Sequence, residues 1–161
     1  MKSATLTATM LVAGALLMSA GSGRADSRLT GMATVKGTCQ KLVVAGQDRS
    51  LECTGSLLNT DYDDQRSGFY FILLNGGVIT FSNRGDLEKR VGPDKRVAPV
   101  DLVMIGEYPS KKINTVAAKG RCRYGNPFKG PSLIECSADS ELGHFEATFL
   151  SNGEKPEVKT F

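Results

Sequence analysis

The sequence predicts an all-β protein of about eight antiparallel strands in a small barrel or sandwich, with an internal two-fold repeat of disulfide-stapled hairpins. Three observations lead there. Segments that alternate apolar and polar residues recur along the chain, with Gly, Asn and Pro turns between them. Four cysteines, Cys39, Cys53, Cys122 and Cys136, form two pairs, each fourteen positions apart. Their surroundings also match. Lys36-Gly37-Thr38-Cys39 answers to Lys119-Gly120-Arg121-Cys122, and Leu51-Glu52-Cys53-Thr54 answers to Ile134-Glu135-Cys136-Ser137. A gap-free correspondence of this kind indicates a duplicated supersecondary unit.

Residues 1–25 read as a signal peptide for bacterial export. Lys2 precedes an apolar stretch of about a dozen residues, and Gly23 and Ala25 are small enough for the cleavage site. Cleavage after Ala25 leaves 26–161 as a single β domain, with repeat units at about 31–83 and 113–153 and a flexible tail at 152–161. Without Lys2 and Arg24 the chain holds 18 basic against 17 acidic residues. Such near-neutrality argues against nucleic acid or an anionic membrane as the partner. The longest later apolar run, 69–74, falls well short of the roughly 20 residues of a spanning helix, so no membrane insertion is expected after cleavage. An even number of cysteines in an exported chain reads as disulfides, in the periplasm or outside the cell. Zinc would need close ligand pairs, and His144 is the only histidine.

The first strand alternates, with Ala33, Val35, Gly37 and Cys39 facing inward. If each disulfide joins directly opposed residues of a hairpin, the pairing is Cys39–Cys53 and Cys122–Cys136. The first hairpin then turns within 45–48, and Gly37 faces Gly55. Next comes a polar connection at 57–67, then an apolar strand at 69–74 that should be covered on both faces. Asn75-Gly76 turns it into a strand at 78–82. Residues 84–96 form a charged loop. A strand over 100–105 starts after Pro99, or lies on an edge, because proline cannot donate to a ladder. In the second copy Val116, Ala118, Gly120, Cys122 and Tyr124 face in. The disulfide register sets Arg123 against Glu135 and Lys119 against Asp139 on the outer face, and turns the hairpin within 126–131. The last strand, about 144–150, faces Phe145, Ala147 and Phe149 inward. Small residues below each disulfide, Gly37 with Gly55 and Gly120 with Ala138, leave hollows for aromatic rings. Phe69 or Phe71 would fill the first, and Phe145 or Phe149 the second.

No catalytic or cofactor signature stands out. Asn59, Asp61, Asp63 and Asp64 bunch oxygen ligands as calcium loops do, yet Asp64 and Tyr70 occupy the positions of the turn glycine and the bidentate glutamate. They are weak metal candidates only. His144 reads as a surface residue beside Glu146, with no nucleophile elbow in the chain. Glu52 and Glu135 face outward, and Arg123 opposite Glu135 disfavours a general acid there. Arg84-Gly85-Asp86 is a chance-level adhesion tripeptide, and Lys119, Arg121 and Arg123 form a basic stripe with acidic residues opposite. The expectation is a non-enzymatic exported binding or envelope-associated protein, its partner an unidentified protein or envelope component and no cofactor required. The alternatives are an inhibitor of a secreted hydrolase, using the loops at 45–48 or 126–131, and a small hydrolase using carboxylate or Ser groups. A ligand carrier would show an empty apolar barrel mouth.

Overall fold

The computed structural model describes residues 27–161; the expected signal peptide lies outside the described residues. Eleven strands follow in chain order: β1 (Leu29–Val44), β2 (Gln47–Asp48), β3 (Cys53–Tyr62), β4 (Arg66–Leu73), β5 (Val78–Arg84), β6 (Lys89–Arg90), β7 (Arg96–Gly106), β8 (Ile113–Tyr124), β9 (Leu133–Ser140), β10 (Gly143–Ser151) and β11 (Glu157–Thr160). Eight of them, in the order β1-β3-β4-β5-β7-β8-β9-β10, close on themselves when β10 pairs with β1. The fold is a closed antiparallel barrel rather than a sandwich. Its interior is solid through the middle: Leu42, Leu57, Phe71, Phe81, Phe145 and Phe149 are completely buried.

Closure depends on β1. Its first half pairs with β3, from Leu29↔Tyr62 to Lys36↔Ser56, and its second half pairs with β10 from Gly37↔Ser151 onward. A bulge between Cys39 and Lys41 reverses the alternation, so Val35 and Leu42 both point into the core. The second hairpin has the register that the cysteines predict. Cys122 faces Cys136, Gly120 faces Ala138, Arg123 faces Glu135 and Lys119 faces Asp139. Both expected disulfides form, Cys39–Cys53 and Cys122–Cys136. They fit an oxidising environment, extracellular or periplasmic.

The first hairpin departs from its partner copy. The β1–β3 ladder stops at Lys36↔Ser56, short of Cys39 and Cys53, whose Cα atoms are 5.9 Å apart against 4.0 Å for Cys122 and Cys136. Because β1 must leave β3 to reach β10, the two strands splay, and β2 with a short 3-10 turn at Ser50–Glu52 fills the gap. The turn still falls where expected, at Ala45-Gly46, both with positive φ. Phe149, from the second copy, fills the hollow at Gly37: a Cβ there would lie 2.8 Å from its ring.

Three further expectations change. Strand β4 has only one fully covered face. Phe69, Phe71 and Leu73 enter the core, while Tyr70 and Ile72 are half-buried outside and Leu74 is 72% exposed. A closed barrel needs no second layer, and Tyr70, bonded to Tyr62 at 2.7 Å, leans over Gly68. Strand β7 starts before Pro99, which sits inside it. On the side away from β8, pairing with β5 ends at Val100 and pairing with β6 resumes at Val97, so no ladder bond is missed. Within the expected flexible tail, β11 pairs with Gly31–Thr34 of β1, where β10 has already ended.

Candidate functional site

The strands leave two ends to the barrel. One end carries the turns at 45–52, 74–77, 107–112 and 141–142; the other, the mouth, carries those at 63–65, 85–95, 125–132 and 152–156. Below the mouth the core is packed. At the mouth the inward positions turn polar: Asn59 and Asp61 continue the inward face of Leu57, Ser67 that of Phe69, Asn83 that of Phe81, and Arg96 that of Ala98.

A cavity of about 300 Å³ opens there. Its floor is apolar, formed by Ala33, Val35, Leu57, Phe69 and Ile134, and the 125–128 segment with Phe128 overhangs it. Asn59, Arg96 and Tyr124 line it and also line an adjoining, more open hollow of about 480 Å³ that contains Asp61, Ser67 and Glu88. The Tyr124 ring stands edge-on to Phe69 with centroids 4.9 Å apart, and its hydroxyl donates to Glu88. Glu88 also accepts from Arg96 at 2.6 Å. Burial first, and the Glu88 carboxylate second, push the Tyr124 hydroxyl far above the usual phenol range, so it remains a neutral donor. Burial likewise raises the Asp61 carboxyl, with a further contribution from the negative charge of Glu88. Deeper in, Ser67 donates to Asn83, a fully buried side chain whose amide nitrogen has no partner.

The four metal candidates do not converge. Asn59 and Asp61 line the mouth, Asp63 accepts from the Arg28 backbone at 2.9 Å, and Asp64 accepts from the Arg66 backbone at 3.1 Å. Among the described residues no group of three His, Cys, Asp or Glu side chains comes together to hold a metal. His144 lies on the outer face, 2.7 Å from Asp139 and 3.8 Å from Glu146, which itself pairs with Lys41. Glu52 is held by Arg49 in the 3-10 turn, far along the fold from Glu135 on β9, and this bond lowers its pKa. Arg84 and Asp86 bind each other at 2.7 Å. The basic stripe on β8 is exposed, and although Lys119 and Arg123 stand opposite Asp139 and Glu135, no ion pair joins them; Asp139 turns to His144 instead.

The first loop expected of an inhibitor, 45–48, is the turn at Ala45-Gly46 with β2, and a 3-10 turn at Ser50–Glu52 follows it. Ser50 bonds Asp48 and the Leu42 amide, and Leu51 at its tip is 95% exposed. The backbone of this second turn is helical rather than the extended strand that an edge-pairing groove would receive, and Gln47–Asp48 of the first already pair with β1.

Arg96, Glu88 and Tyr124 escape motif reading because they come from three separate segments. The available signal was parity: polar residues at the ends of inward-facing strand registers, as at Asn59, Asp61 and Tyr124. Compared with protein-family models, curated proteins and solved structures, the chain matches none of them.

Proposed function

We propose that this is an exported, non-enzymatic binding protein that holds a small, mainly apolar ligand in the mouth of its barrel. The observation that carries the reading is the cavity of about 300 Å³ with its apolar floor and its polar rim of Asn59, Arg96 and Tyr124. An apolar concavity with a few convergent polar groups, some with shifted pKa values, is the usual form of a small-ligand site. Its volume is at the small end of such sites, so the ligand is small. The outer face, with Lys36, Lys119, Arg121 and Arg123 exposed over an apolar core, is the reverse of a barrel that faces lipid. Outside the mouth the imidazole and its acidic neighbours are engaged in separate surface pairs, which favours binding over hydrolysis. Two disulfides and the Gly23-Arg24-Ala25 exit support action outside the cytoplasm, and N-terminal sequencing of the exported protein should begin at Asp26.

The test fills the cavity. An environment-sensitive apolar dye should bind the wild type at one site. Ala33→Phe, which places a ring on the cavity floor, should remove that binding while the thermal midpoint stays within a few degrees. Dye that binds Ala33→Phe as well as wild type would place the site elsewhere and end this reading.

A further inference from the structure

We propose that the mouth selects an amphipathic amine, with its hydrocarbon part on the apolar floor and its ammonium group at the junction of the two hollows, against Asp61 and Asn59. This rests on the mouth being the ligand site. The chemistry of the junction sets the preference. The cations around it already have anionic partners: Arg96 is on Glu88 at 2.6 Å, Arg66 on Asp101 at 2.7 Å and Arg84 on Asp86 at 2.7 Å. Asp61 has no cationic partner within 4.0 Å among the described residues, so the open hollow keeps one uncompensated negative charge.

The hydrogen-bonding groups lean the same way. Asn59 uses its amide N–H on the Gly68 carbonyl at 3.1 Å, which leaves its side-chain oxygen as an acceptor. Tyr124 donates its hydroxyl proton to Glu88, which leaves the phenolic oxygen as a second acceptor. Asn59 and Tyr124 line both hollows, and Asp61 lies two residues from Asn59 on the same strand face. The junction therefore offers acceptors and a net negative charge, since the one cation that lines both hollows, Arg96, is neutralised by Glu88 through Nη1. An ammonium brings three donors and a positive charge and matches it; a carboxylate brings only acceptors and would be repelled by Asp61 and Glu88. Burial first and the Glu88 charge second raise the Asp61 carboxyl, and an arriving cation would offset the second of these.

Isothermal titration of the mature protein with octylamine, octanol and octanoate at pH 7 separates the possibilities. Octylamine should bind about tenfold more tightly than octanol, and octanoate more weakly than either. In Asp61→Asn the amine should lose most of its advantage over octanol, with the thermal midpoint preserved to show that the barrel is intact. Octanol or octanoate binding as tightly as the amine would overturn the amine preference while leaving the mouth as a site. An amine advantage that survives in Asp61→Asn would overturn the role of that carboxylate. If none of the three compounds binds, the mouth itself is not the site, and both proposals fall.

Discussion

Gly37→Val should destabilise the barrel by roughly 1–3 kcal/mol, Phe149→Ala by about 3–5 kcal/mol, and the double variant should show no rescue. A Cβ at Gly37 would approach the Phe149 ring and the Ser151 Cα at 2.8 Å, and would collide outright with the Leu150 carbonyl oxygen. The ring could move or be removed, but the carbonyl cannot. Strand β10 is held on one side by β1 and on the other by β9, with Leu150 paired to Leu133. Removing Phe149 therefore leaves a cavity without clearing the obstruction. His144→Ala is the control: its pairs are on the surface, and loss below about 0.5 kcal/mol is expected. Urea denaturation of the four variants measures all of this. A double variant as stable as Phe149→Ala alone would mean that the side chain, and not the close backbone approach, limits the seam.

Replacing either cysteine pair by serine should cost about 3 kcal/mol, as expected for a closed loop of about 15 residues. The consequences in the native state should differ. Cys122–Cys136 lies within an unbroken ladder, with Arg121↔Ser137 and Arg123↔Glu135 on either side, so that hairpin keeps its hydrogen bonds without the disulfide. Cys39–Cys53 spans the place where β1 has already parted from β3. Besides the disulfide, that loop is tied back to β1 by the short β2 pairing, Val43↔Asp48 and Val44↔Gln47, the Leu42–Ser50 bond and the Leu42–Arg49 backbone bond. Beyond Arg49 only the disulfide and the Leu42–Ser50 bond hold it to β1. Amide exchange in residues 45–52 should therefore accelerate strongly in Cys39→Ser/Cys53→Ser, while residues 123–135 change little in Cys122→Ser/Cys136→Ser. Equal acceleration in the two loops would show that the first ladder is not open at its disulfide.

The contrast between the hairpins also shows where local pattern stops being informative. At Cys122 and Cys136 the cysteine spacing, the alternation of Val116 to Tyr124 and the small pair Gly120 with Ala138 all describe one ladder, and the observed register agrees at each point. The same pattern around Cys39 sets the disulfide and the turn at Gly46, but β1 leaves its hairpin partner because β10 needs a neighbour to close the barrel. That pairing joins Gly37 to Ser151, across most of the chain, and no periodicity within β1 encodes it. Barrel rather than sandwich was decided by this contact alone.

The candidate site divides in the same way. Inward parity at Leu57, Asn59 and Asp61, and at Cys122 and Tyr124, is readable from alternation, since successive side chains on a strand point to opposite faces. Spacing nevertheless groups Asn59 and Asp61 with Asp63 and Asp64 as oxygen ligands, because proximity in sequence says nothing about which side of a turn a side chain occupies. Likewise β11, whose single apolar residue Val158 makes no apolar face, becomes a strand only because β1 offers an edge beyond the end of β10. The strand periodicity and the disulfide pairing were determined by the sequence, because they arise from contacts between near neighbours. The closure of the barrel, and the meeting of Glu88, Arg96 and Tyr124 over an apolar floor, were decided by tertiary structure, because only closure brings strand ends distant in sequence to one mouth.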